Sequence, residues 1–243
     1  MIMSRLFLLC LLFAWSVSPV LAEKAVEWQM EQKHYASGDH TFYMTPTAVK
    51  IVNKTLGYQV VSTAPKWRVI AFRLDDKVIC DLAREKFFKQ QGFHPGKNNS
   101  TDPKLVSTGT RAIGVVKADV LEHRPNEYWV CHLPGIGKET EDLLAAYFKI
   151  RPLNGLVVKS ITNGETGYRK EGNSASAQRF GRVVMLETLR IKQVPYRHAD
   201  FQVPTGLKPV QQIEQIMSSA DRRNQAKSII EELGLGEKFG KKN

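Results

Sequence analysis

His34, His40, His94, His123, His132 and His198 are the side chains most able to ligate a metal or move a proton. Their spacing organises neither task. His34 and His40 straddle the turn signal Ser37-Gly38-Asp39, so the two imidazoles can meet across a hairpin, but the plainer reading is two surface histidines. Cys131 and His132 are neighbours in "YWVCHL" and on a strand face opposite ways, which prevents them from sharing one ion easily. Asp75-Asp76 fails in the same way as a catalytic carboxylate pair and reads better as a turn. No G-x-S-x-G elbow, H-E-x-x-H, paired C-x-x-C or phosphate-binding glycine loop occurs in the chain. These residues predict no enzyme, no metal site and no cofactor.

Charge and the N-terminus bear on address and partners. Arg5 precedes an apolar run from Leu6 to Trp15, and Val20-Leu21-Ala22 offers a cleavage site, so residues 1–22 read as a signal peptide. The run is short of the roughly 20 residues of a membrane-spanning helix, and no later stretch supplies one. The expectation is a monomeric protein without a transmembrane segment, periplasmic or secreted after processing near Ala22. A net charge of +11 suits nucleic acid in general, but export and the scatter of lysines and arginines argue against it. A solvated basic surface, or attraction to an anionic envelope surface, remains. After processing only Cys80 and Cys131 are left, both in strand-like segments; one disulfide and two buried thiols are equally open.

The elements that position these groups are mostly strands. Val26, Trp28 and Met30 alternate with Glu27, Gln29 and Glu31, and "HTFYMT", "AVKIVN", "YQVVST", "WRVIAFRL" and "KVICDL" follow between turn residues. Short strands at such intervals predict an antiparallel meander. Residues 89–110 are rich in Gly, Asn, Ser, Thr and Pro and read as a long loop inserted in one domain, 23–210. The sheet resumes with "RAIGVVKADVLEH" and "EYWVCHL". A helix follows over 138–148, with Glu139, Glu141 and Asp142 in its first turn and an apolar face of Leu143, Leu144, Tyr147 and Phe148. "LVVKSIT", a polar hairpin tip and "RVVMLETLRIKQV" continue the sheet. "RHADFQVPTGLKPV" then reads as a final strand stopped by prolines. The segment 211–243 is helical, with stripes at Ile213, Ile216, Met217, Ala220 and at Ala226, Ile229, Ile230, Leu233. The two stripes are out of phase, which predicts a bend near Asp221–Asn224.

Several of these pieces together resemble a family. "YWVCHLPGIGKETEDLLAAYFKIRPLNGLVV" places Trp129 on a strand, then a helix, then Pro152-Leu153 returning to strand, and "VVMLETLRIKQV" leads to "DFQVPTGLKPV" with Phe201, Val203, Pro204, Gly206 and Lys208. This order is similar to the LolA/LolB-like lipoprotein-carrier superfamily. The resemblance implies an α+β fold: an antiparallel sheet curled into an incomplete β-barrel, helices across its mouth and here a C-terminal helical extension. It also implies an exported carrier that shelters a lipid or lipoprotein acyl chain in an apolar cavity. Trp67, Phe72, Trp129, Leu144 and Phe148 are the expected cavity residues, with helix 138–148 as lid. The alternative is a non-catalytic envelope scaffold binding anionic partners through its basic surface.

Overall fold

The computed structural model describes residues 25–95, 105–163 and 181–221. The expected signal peptide, most of the hairpin tip and the second C-terminal stripe lie outside them. So does the expected bend, apart from Asp221.

The alternating segments form the strands expected of them. β1 (Val26–His34), β2 (Gly38–Thr45), β3 (Ala48–Asn53), β4 (Tyr58–Thr63), β5 (Val69–Arg73) and β6 (Val78–Leu82) make an antiparallel meander. A second set comprises β7 (Val106–Ile113), β8 (Val116–His123), β9 (Asn126–Cys131), β10 (Leu156–Thr162) and β11 (Val183–Pro195). β11 pairs with β1 and joins both sets into one sheet, and β12 (Lys208–Pro209) adds a parallel edge to β6. The twelve strands run β12-β6-β5-β4-β3-β2-β1-β11-β10-β9-β8-β7 and do not close into a barrel.

The sheet curls because one of its faces wraps a helix. Phe42 and Ile51 from one set and Ala118 and Cys131 from the other enter the same buried cluster, together with Leu143 and Ala146 of α2 (Lys138–Tyr147). Every residue of α2 from Thr140 to Tyr147 is buried, so the helix lies inside the trough and not across its mouth. α1 (Arg84–Gln91) packs on α2 and contributes Phe87 and Phe88. This helix was not foreseen, and with β7 beginning at Val106 it cuts well into the expected loop over 89–110. Gly92, in the left-handed region at φ +68°, stops α1 and donates to the carbonyls of its last turn.

Close approach beside α2 falls to Gly155. Its φ is +119°, and a Cβ there would lie 2.7 Å from Val130 Cγ1 and 2.9 Å from the Cys131 carbonyl oxygen. Gly155→Ala is expected to destabilise the fold by about 1–3 kcal/mol, read as a lowered denaturant midpoint.

The reading of "RHADFQVPTGLKPV" as a final strand is corrected. β11 ends at Pro195, His198–Phe201 is a 3₁₀ turn, and only Lys208–Pro209 has strand geometry. The segment is a strap that leaves β11, places its 3₁₀ turn against β3 and continues to the β6 edge. Its prolines and glycine keep it out of the sheet until that edge, where Lys208 N–H donates to Lys77 O and Val210 N–H to Ile79 O. Beyond it, Ile213 and Ile216 are buried, Glu214–Met217 forms the short helix α3, and helical geometry resumes at Ala220 and Asp221.

Candidate functional site

The trough has an apolar floor and a polar end. In-phase residues of neighbouring strands stack into rows: Met30, Phe42, Ile51 and Val60 pair in sequence across β1 to β4, and Ala71 and Cys80 extend the row across β5 and β6. One pleat further along, the corresponding row is Gln32, His40, Asn53 and Tyr58. Beyond it lies Arg73. All five polar residues are buried.

The polar row is tied down almost completely. Asn53 Nδ2 donates to His40 Nε2 at 2.9 Å, and His40 Nδ1 donates to the Gly38 carbonyl at 2.8 Å. This pattern makes His40 the neutral Nδ1–H tautomer. Burial holds its pKa down to about 4. Ser37 Oγ lies 2.9 Å from His34 Nδ1 and 3.4 Å from His40 Nε2. The His34 nitrogen also accepts the Ala36 and Ser37 amides, and burial lowers its pKa too. Tyr58 and Tyr147 join sheet to helix through their hydroxyls at 2.7 Å. The hairpin does bring the two histidines together, yet both spend their lone pairs on local donors. The row locks register and caps a turn. It offers no free base.

α2 fills the trough. Tyr147 and Phe148 stack edge-on against His40, and Phe148 lies face-on to His34 at 5.2 Å. Beneath the helix, Gln32, Glu141, Leu144, Phe148, Gly155 and Leu156 line a space of about 10 Å³. That holds at most one water, so among the described residues the space beneath α2 is packed with the protein's own side chains in place of the open cavity expected from the sequence. The helix's polar groups are imperfectly served there. Thr140 Oγ1 has no partner, and Gln32 Oε1 beneath the helix likewise. Burial raises the Glu141 pKa against the pull of His132, although its carboxylate accepts the Gly155 amide at 3.2 Å. Asp142 is better held, by Lys138 at 2.9 Å and Arg84 at 3.6 Å.

The expected cavity residues divide. Leu144 and Phe148 line the space beneath α2. Trp129 borders the same cluster, its indole donating to Glu127 Oε1 at 2.6 Å and Lys159 Nζ lying 5.1 Å from the ring centroid. Trp67 packs against the cluster from the turn before β5, at φ +47°, and is not on the strand. Phe72 is out of phase with Val69 and Ala71, so it lies on the opposite face, buried but outside the cluster. Cys80 and Cys131 do not pair. They are buried free thiols on β6 and β9, with seven strands from β5 to β10 standing between them in the sheet.

The convex face holds a carboxyl that sequence reasoning missed. Glu27 is 1% exposed because the strap brings Asp200 and Arg197 over it. Burial, then the Asp200 charge, pushes its pKa up to about 7. Tyr43 and Lys50 share the neighbourhood, each shifted toward neutrality by burial. The folded chain therefore keeps a proton on Glu27 that the unfolded chain releases near pH 4.5. The associated stability, on the order of 2–3 kcal/mol, is fully present below pH 4.5 and is lost as pH rises through 7. His40 acts in the opposite sense, since its lowered pKa costs stability as pH falls from 6.5 toward 4. Denaturation of wild type and Glu27→Gln across pH 4–8 separates them. The variant is expected to lose the fall between pH 4.5 and 7, and an unchanged difference across that window would contradict the assignment.

No protein-family model and no curated protein matches this chain. Among solved structures it is similar to an uncharacterized conserved protein from Thermus thermophilus, at 9% identity and a TM-score of 0.40, over 78% of this chain and 92% of that one. So loose a likeness carries no argument about fold or function. No helix among the described residues is long and apolar enough to cross a membrane.

Proposed function

We propose that this is an exported, non-catalytic binding or carrier protein that takes an acyl chain or lipid-modified peptide into its trough when α2 withdraws. The observation that carries this reading is the occupant of the trough. A helix whose Leu143, Leu144 and Ala146 are at most 5% exposed sits where a carrier would hold its cargo, with Thr140 and Glu141 imperfectly paired beside it. An amphiphile with a dozen buried methylenes gains roughly 10 kcal/mol, enough to compete with the few apolar side chains it would displace. The curled, unclosed sheet and the resemblance to lipoprotein carriers are consistent with an incomplete barrel, and the export signal supports a periplasmic or secreted address. Transfer would need no covalent step. Native mass spectrometry and lipid extraction of envelope-purified protein are expected to recover a bound amphiphile. Protein that is empty as isolated, and stays empty when offered long-chain acyl micelles, overturns the proposal.

The filled interior and the net charge of +11 favour a second reading, an interaction module that attracts anionic envelope polymers. Binding to such polymers that falls as salt rises, in a protein that takes up no amphiphile, would select it.

A further inference from the structure

We propose that two copies of this chain pair through β7, antiparallel across a two-fold axis at Thr110, extending the sheet from one molecule into the next. The two edges of the sheet are treated differently. At one, β12 pairs with β6 and ends in Pro209, which has no N–H to offer a further strand. At the other, β7 has seven exposed residues followed by half-buried Ile113. Its sequence, VSTGTRAI, has no proline and no lysine, and Arg111 is its single charge. Among the described residues, the devices that blunt this edge are therefore few: one arginine, and a bulge between Ser107 and Gly109.

The backbone pattern selects the register. Ile113 and Val116 flank the two-residue turn Gly114-Val115 and so form the first hydrogen-bonded pair of the β7–β8 hairpin. Alternation from there turns the N–H and C=O of Ala112 and Thr110 outward. A two-fold axis through an outward-facing residue lets that residue exchange both bonds with its own copy. Thr110 is the outward residue farthest from the turn that still lies in the regular stretch beyond the bulge.

This register opposes Thr110 to Thr110 and Gly109 to Arg111 of the other copy. Paired threonines are favourable across strands, and neither arginine faces a like charge. Gly109 has no neighbour within 4 Å of where a Cβ would stand, which leaves room for the arginine. A register centred on Arg111 would instead set two guanidinium groups against each other. The bulge keeps the regular stretch short, so the dimer is reversible and dilution dissociates it. This pairing replaces the monomer expected from the sequence.

Light scattering and sedimentation of the purified protein over a concentration series test the idea. Wild type is expected to approach twice the chain mass at high concentration. Thr110→Lys and Thr110→Glu, which place like charges directly opposite at the axis, are each expected to stay at single mass with unchanged circular dichroism and melting. An equimolar mixture of the two variants is expected to regain the doubled mass, because every mixed pair opposes lysine to glutamate. A wild type of single mass throughout, a doubled mass that survives both substitutions, or a mixture that fails to recover it would each overturn the proposal.

Discussion

Replacing Leu143 with alanine is expected to weaken the fold and tighten amphiphile binding together. Leu143 is fully buried on α2, and its truncation should cost about 2–5 kcal/mol of stability. If cargo takes the place of the helix, the form that binds is a minor population with α2 unseated, and measured affinity is the intrinsic affinity reduced by that population. Any free energy the substitution removes from the seated form alone reappears in binding, tenfold for each ~1.4 kcal/mol. Chemical denaturation gives the first quantity, and titration with a fluorescent long-chain fatty acid gives the second. Phe72→Ala is the control. Phe72 is as well buried but lies on the other face of the sheet, so stability should fall by about 3–5 kcal/mol without a gain in affinity. If Leu143→Ala lowers stability and no binding develops, α2 is permanent core and the carrier reading fails.

Arg73→Met should produce the second large effect, at the far end of the polar row. The Arg73 side chain is only 3% exposed. Its Nε donates to Ile216 O at 2.9 Å, one Nη donates to Asp75 Oδ2 at 3.0 Å, and the other to the Leu56 carbonyl. One guanidinium thus fastens the β3–β4 turn, the β5–β6 turn and α3. Methionine fills comparable space but orphans two carbonyl acceptors, at about 1–3 kcal/mol each. The loss should be roughly 2–6 kcal/mol and should loosen the C-terminal segment first, because Ile216 O loses its side-chain donor and the Ala220 amide bond to Asp76 loses its neighbour. Limited proteolysis is expected to show new cleavage within 210–221. Arg73→Lys, which keeps the charge without the planar fork, should recover only part of the loss. A variant that melts lower yet resists cleavage there would place the weakness elsewhere.

Much of the sheet was legible before any coordinate. Six alternating segments between turn residues became β1 to β6, and the acidic first turn and apolar face of 138–148 became α2. The polar row also left a trace. Gln32, His40 and Tyr58 sit in phase with apolar residues of their own strands, and Arg73 is in phase with Val69 and Ala71, so period two marks them as inward-facing. The trace gives a direction and no partner. Asn53 binds His40 across two strands whose register is set by the intervening turn, and Arg73 meets Ile216 across 143 positions of chain. α1 went unread because Arg84–Gln91 is mostly polar, with only Phe87 and Phe88 marking its buried side.

Taken alone, the amino-acid sequence determined the alternation that makes strands, the meander, the apolar helix, the export-like N-terminus and the want of a catalytic motif. These are properties of neighbouring residues and need no distant contact. Tertiary structure alone decided that the helix fills the trough and that the cysteines stay apart. It also turned the proline-rich ending into a strap, with Glu27 closed in beneath it. Each of those depends on which surfaces meet after the sheet curls, and the free energy of burying one surface on another resides in pairs of segments far apart along the chain.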